Sequence, residues 1–254
     1  MPDFFRFTKA EFIKLKGSGM FWLATAGTVF TNLMMGILPF NFSIVSQYLE
    51  MDPLGSWEGW IRFHYLGILP MLLPMYLVIL CALALLMENR SSAWKMLYAL
   101  PASKAMVYLS KLKVVAVVFA FSHLLFLVLL VLIPFITGTS FAQSPMPVNL
   151  LLQLGFGTIF SCMGILSLVY FISYFSRSFV LPLAVGILGF VLAQLIKDYQ
   201  LDGSYFPFSW PSITMDSIFL GAPDWRTLGI NMLFLTVVTL VGYALANRDQ
   251  TKSY

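Results

Sequence analysis

Six stretches of this chain run for 18 residues or more without a single Asp, Glu, Lys or Arg: residues 20–40, 64–87, 114–136, 148–175, 179–196 and 228–246. A helix needs about 20 mostly apolar residues to cross about 30 Å of hydrocarbon. Within lipid the backbone must satisfy its own hydrogen bonds, and a continuous apolar run does so as a helix. The runs do not alternate as membrane β-strands do. The sequence therefore predicts an all-α integral membrane protein with six transmembrane helices. Charged residues make up 10% of the 254 positions, against about 25% in soluble domains. So few charges could not cover a water-facing surface. No part of residues 1–254 has the composition of a second, soluble domain, and the whole reads as one transmembrane domain.

Lys and Arg set the orientation, because they accumulate in cytoplasmic loops. Twelve fall on one side: Arg6, Lys9, Lys14, Lys16, Arg90, Lys95, Lys104, Lys111, Lys113, Arg177, Arg248 and Lys252. The other side holds three, Arg62, Lys197 and Arg226. Both ends are therefore expected in the cytoplasm. The net charge of +4 follows from this topology and is not read as a nucleic-acid surface. Residues 1–19 carry Phe4, Phe5, Phe7, Phe12 and Leu15 mainly on one helical face, although Glu11 and Lys14 blur the pattern. A short amphipathic helix on the inner leaflet is expected there.

Few groups within the spans can do chemistry. Asn32, His123, Gln153 and Gln194 are the polar residues at depth, with His64 near an outer edge. No carboxylate is available to carry a proton, as an ion-coupled transporter would need. Asn32, His123 and Gln153 are expected to make hydrogen bonds within the bundle. Cys81 and Cys162 lie inside spans, with no disulfide or metal-ligand spacing. Small pairs at spacing four (Ala116/Ala120, Gly157/Ser161, Gly189/Ala193) permit close helix approach. Pro70, Pro74 and Pro182 are expected to kink their spans. No zinc pair, nucleophile turn or phosphate loop is present, so no catalytic residue, metal ligand or cofactor site is assigned to this chain. Energy for any work would come from a partner.

Residues 88–113 are the most informative cytoplasmic segment. Trp94, Leu97 and Tyr98 give one apolar helical face. Ser91 or Ser92 can cap its start, and Pro101 stops it, because Leu100 before proline is pushed out of the helical region. Ser103 can then cap a helix leading into the third span. By physics alone this segment is equally a helix lying on the lipid surface and a docking helix for a cytoplasmic partner.

The segment resembles the first cytoplasmic loop of type-2 ABC exporter permeases, most closely the lantibiotic-immunity group. The likeness rests on Glu88, on Trp94-Lys95-Met96-Leu97, and on Leu100-Pro101-Ala102-Ser103-Lys104, with Tyr108 and Lys111 beyond. Ala93 departs mildly from the Thr or Gly common there. Glu11-Phe12-Ile13-Lys14-Leu15-Lys16, followed by Trp22, resembles the start of the same family. The resemblance implies a coupling loop that docks a separate cytoplasmic ATP-binding subunit through Glu88, Trp94, Leu97, Leu100 and Pro101, with Lys95 as a charge partner. It implies that ATP and Mg are bound by that subunit and that a second permease, identical or related, completes the transporter. It also implies residence in a bacterial cytoplasmic (inner) membrane.

Residues 197–226 are too broken and too polar to span. The resemblance implies short re-entrant helices in this outer loop, and residues 206–220 suit them. Phe206, Phe208 and Trp210 are aromatics suited either to the outer interface or to packing on the bundle. The function expected is a permease subunit of an ATP-driven exporter of an amphipathic peptide. Two alternatives stay open: an ATP-independent transporter or channel using His123, and a membrane scaffold or sensor that docks a partner through residues 88–113.

Overall fold

The computed structural model of the chain describes residues 2–15, 19–41, 55–90, 103–176 and 179–251. The described residues form helices: α1 (Pro2–Leu15), α2 (Gly19–Asn41), α3 (Trp57–Arg62), a π-helical turn (Phe63–Ile68), α4 (Leu69–Arg90), α5 (Lys104–Thr137), α6 (Val148–Ser176), α7 (Val180–Asp198), α8 (Trp210–Phe219) and α9 (Trp225–Thr251). No strand occurs among them. Among the described residues, four helices are long and apolar enough to cross a membrane: α5, α6, α7 and α9. The bent pair running through α3, the π turn and α4 raises that number to five. The first expected span coincides with α2, a helix of 23 residues.

The helix ends follow local chemistry. Ser103 is extended, and its hydroxyl accepts from the Met106 amide at 3.1 Å. This is the cap expected from the sequence, and the helix it starts runs without a break into the third span, 34 residues in all. Gly138 closes α5 with φ 67°, a left-handed conformation that a side chain would disfavour. Asp224 caps α9, accepting from the Thr227 amide at 3.2 Å and from its hydroxyl at 2.6 Å. These bonds hold the half-buried Asp224 carboxyl below the usual range.

The second span is bent by 56° between the segments 57–67 and 72–85. Pro70 and Pro74 lack the amides that would bond to the carbonyls four residues earlier, and the π turn adds a further break in the ladder. These two prolines therefore sit where a bend was expected. Pro182 does not behave that way. It lies in the first turn of α7, where no amide partner is lost.

α6 is the central column. More than half of its apolar window, 56%, is buried, against 11% for α9. α4, α5, α8 and α9 all pack on it. α2 and α1 lean on α5, and α7 leans on α4. The small residues of α6 and α7 admit the outer loop: Gly157 faces Ile218 and Thr214 of α8, Gly164 meets the Trp210 ring and Asn231, and Gly189 faces the Phe208 ring. Val128, Leu132, Leu233, Val237 and Leu240 are large apolar residues on outer faces, as lipid-facing surfaces require.

Candidate functional site

A cavity of about 480 Å³ lies between α2, α4 and α5. Leu69, Leu72, Leu73, Met75, Phe119 and Phe126 supply most of its wall. No Asp, Glu, Lys or Arg is among its lining residues. The polar groups there are Thr28 and Thr31 from α2, Tyr76 from α4, and Ser122 and His123 from α5.

Each lining hydroxyl spends its proton inside the protein. Thr28 donates to the Ala24 carbonyl and Thr31 to that of Gly27, both at 2.8 Å. Tyr76 donates to Ser122 Oγ at 2.8 Å, and Ser122 donates to the Val118 carbonyl at 2.9 Å. A hydroxyl that donates its proton still has acceptor capacity. The cavity is therefore apolar, uncharged and lined with acceptors.

His123 belongs to a buried aromatic cluster. Its ring stacks on Phe126 at 5.8 Å and on Phe119 at 6.2 Å, and Tyr65 Oη stands 3.4 Å from its Nε2. His64, in the π turn, sits under Trp60 with centroids 4.3 Å apart. Its Nδ1 lies 2.8 Å from the Trp60 carbonyl oxygen. Among the described residues its buried Nε2 meets no hydrogen-bond partner. Trp60 itself donates from Nε1 to the Leu130 carbonyl at 2.9 Å. Pro134, four residues on in α5, has no amide to take that carbonyl, so a side chain from another helix takes it.

Asn32 is buried beside this site. Its Nδ2 donates to the Thr28 carbonyl at 3.0 Å, and among the described residues its Oδ1 has no partner. Gln153 is exposed on α6. Its neighbours Leu151 and Leu154 are buried, so the helical turn carries Gln153 outward instead of into the bundle.

Near the start of α5, α1 docks on that helix through charge. Lys111 Nζ donates to Glu11 Oε2 at 2.7 Å and Lys14 Nζ to Glu11 Oε1 at 2.8 Å. The Glu11 and Lys111 side chains are 11% and 5% exposed. Burial pushes the Glu11 carboxyl up, but Lys111 and then Lys14 outweigh it, and the group lies below its ordinary value. The helix thus turns Thr8 and Glu11 toward the bundle and leaves Phe12 and Ile13 outward. Lys111, counted in the sequence as an orientation charge, is half of a buried ion pair. The signal for it was Glu11, the residue that blurred the amphipathic pattern.

Of the expected coupling residues, Glu88 lies near the end of α4. Trp94, Lys95, Leu97, Leu100 and Pro101 lie outside the described residues. In the segment 197–226 Phe208 and Trp210 are buried. Trp210 Nε1 donates to the Ser204 carbonyl at 2.8 Å, and its ring meets Phe234 edge-on at 5.3 Å. These two aromatics are packing residues, with Phe206 half-buried beside Phe208 at 5.8 Å. Tyr205 and Trp225 are the exposed rings of this rim. No group of His, Cys, Asp and Glu able to hold a metal occurs among the described residues. Both cysteines are buried and free.

No curated protein and no solved structure matches the chain. A sequence model of the family described as "ABC-2 family transporter protein" matches residues 8–193. That match takes in residues 8–15 of α1, the segment 88–113, and the cavity helices α2, α4 and α5. A match over more than half of its length, on a chain whose described residues form helices with four to five candidate spans among them, shows that this multi-pass membrane protein is a permease belonging to the ABC-2 family of transporter proteins.

Proposed function

We propose that the chain is the membrane subunit of an ATP-driven exporter of the lantibiotic-immunity kind, which removes an amphipathic peptide from a bacterial cytoplasmic membrane. A separate ATP-binding subunit, holding ATP and Mg, docks on residues 88–113 through Glu88, Trp94, Leu97, Leu100 and Pro101, with Lys95 as a charge partner. A second permease, the same chain or a relative, completes the pore. The six-span arrangement with both ends in the cytoplasm puts the docking segment where that subunit can reach it. The observation that carries this reading is the family match across residues 8–193. The likeness of the 88–113 segment to the lantibiotic-immunity loop supports the finer assignment.

An amphipathic helix offering Trp and Leu anchors to a groove is a common docking mode. Its continuity with α4 and with the unbroken α5 would pass a push from below into the spans as rigid-body movement. The test is co-expression with an ATP-binding protein encoded alongside. The two are expected to co-purify, and the ATPase rate is expected to depend on this chain. Trp94→Ala with Leu97→Ala is expected to abolish both the complex and the stimulation, with the permease still folded. An ATPase rate indifferent to this chain rejects the proposal.

A further inference from the structure

We infer that the cavity between α2, α4 and α5 binds an uncharged apolar group that carries an O–H or N–H donor. Four lining hydroxyls, on Thr28, Thr31, Tyr76 and Ser122, already donate to protein acceptors at 2.8–2.9 Å. With their protons committed, the oxygens of Thr28, Thr31 and Tyr76 keep acceptor capacity for a guest, while Ser122 Oγ already accepts from Tyr76. Where the Tyr65 hydroxyl, 3.4 Å from His123 Nε2, donates to it, the ring's own proton sits on Nδ1, and His123 then has a proton to give. An ammonium or carboxylate guest would face no counter-charge, and an unpaired charge in such a place costs several kcal/mol. A plain alkane would leave the oxygens unanswered. A guest with one neutral donor answers them and fills an otherwise apolar wall. As the identity of the cargo's inserted end, this rests on the exporter reading: a cationic amphipathic peptide would insert its uncharged end and keep its charges outside. A lipid alcohol has the same chemistry.

The test uses the purified full chain in phosphatidylcholine nanodiscs, without any ATP-binding subunit. The probe is a long-chain alcohol bearing a photoactivatable diazirine, compared with its methyl ether and its amine. The alcohol is expected to label peptides containing Leu72, Met75 or Phe119 about fivefold more than either analogue, the ratio that one net hydrogen bond of about 1 kcal/mol gives. Gly27 lines the cavity, and a Cβ there meets nothing within 4 Å. Gly27→Phe is therefore expected to fill the space and remove the labelling in a folded protein. Thr28→Val with Thr31→Val keeps the shape and should narrow the gap between alcohol and ether. Competition by an uncharged apolar peptide amide assigns the cargo as source, and competition by diacylglycerol assigns lipid. Equal labelling by alcohol and ether in the wild-type protein, or labelling untouched by Gly27→Phe, overturns the inference. Because no ATP-binding subunit is present, those outcomes leave the exporter reading to stand or fall on the ATPase measurement.

Discussion

Lys111 is the residue whose role changes most between sequence and structure. Buried with Glu11 at 2.7 Å, it holds α1 to α5, and its removal leaves the buried carboxylate only the half-exposed Lys14 as counter-charge. Breaking such a pair costs about 3–5 kcal/mol. Lys111→Met is therefore expected to release α1, seen as faster hydrogen exchange of the amides of residues 8–14. Glu11→Gln with Lys111→Met should restore most of the protection, because no charge is then stranded. The pH dependence has a definite sign. The Glu11 carboxyl is depressed below its ordinary 4.5, so the docking it provides is complete above that value. Docking is lost only as pH falls through the lower, folded value. Protection of α1, its exchange rate taken relative to the intrinsic rate at the same pH, is thus expected to hold from neutral pH down to about 5 and to fall in stronger acid; a fall near neutrality would assign the latch to another group.

At the scale of elements, the bends and breaks in the helices are where other side chains gain a role. Pro134 frees the Leu130 carbonyl within α5, and Trp60 of α3 donates to it at 2.9 Å. Two helices far apart in sequence are joined by a bond that neither helix contains alone. Trp60→Phe leaves that carbonyl unanswered and is expected to cost about 1–3 kcal/mol, read as a lower unfolding temperature in detergent. Pro134→Ala supplies the missing amide, so Trp60→Phe should cost less in that background than in the wild-type protein. Equal costs in both backgrounds would show that the bond adds nothing. The bent second span works in the same way: the π turn and prolines move α3 away from the line of α4, and the cavity opens beside the upper part of α4.

At the scale of the whole molecule, charge distribution is the argument for orientation, and it can be checked directly. The two native cysteines are buried and should not react with a membrane-impermeant maleimide. Tyr199→Cys, at the exposed end of α7, is expected to be labelled on intact cells. Asn247→Cys, near the end of α9, should be labelled only after the membrane is opened. The reverse pattern would invert the topology and take the 88–113 segment out of the cytoplasm. The sparse burial of α9 and α7, 11% and 22% of their windows, leaves wide apolar faces of the kind that lipid or a second permease covers.

The chain's sequence by itself determined that it is helical and built for a membrane, and how α5 begins. Those properties follow from local hydropathy, from the cap at Ser103 and from the need to satisfy the backbone in lipid, all of which act over neighbouring residues. It also identified, through residues 88–113, a family to which the chain does belong. Burial was not legible in the same way, because an apolar helix reads alike on every side. That Gln153 points outward and that Phe208 and Trp210 pack against glycines depended on which face met which neighbour. The Glu11–Lys111 pair and the acceptor-lined cavity are products of tertiary structure alone. They bring together residues 100 positions apart in the first case and three separate helices in the second, and no spacing within one segment encodes such a meeting.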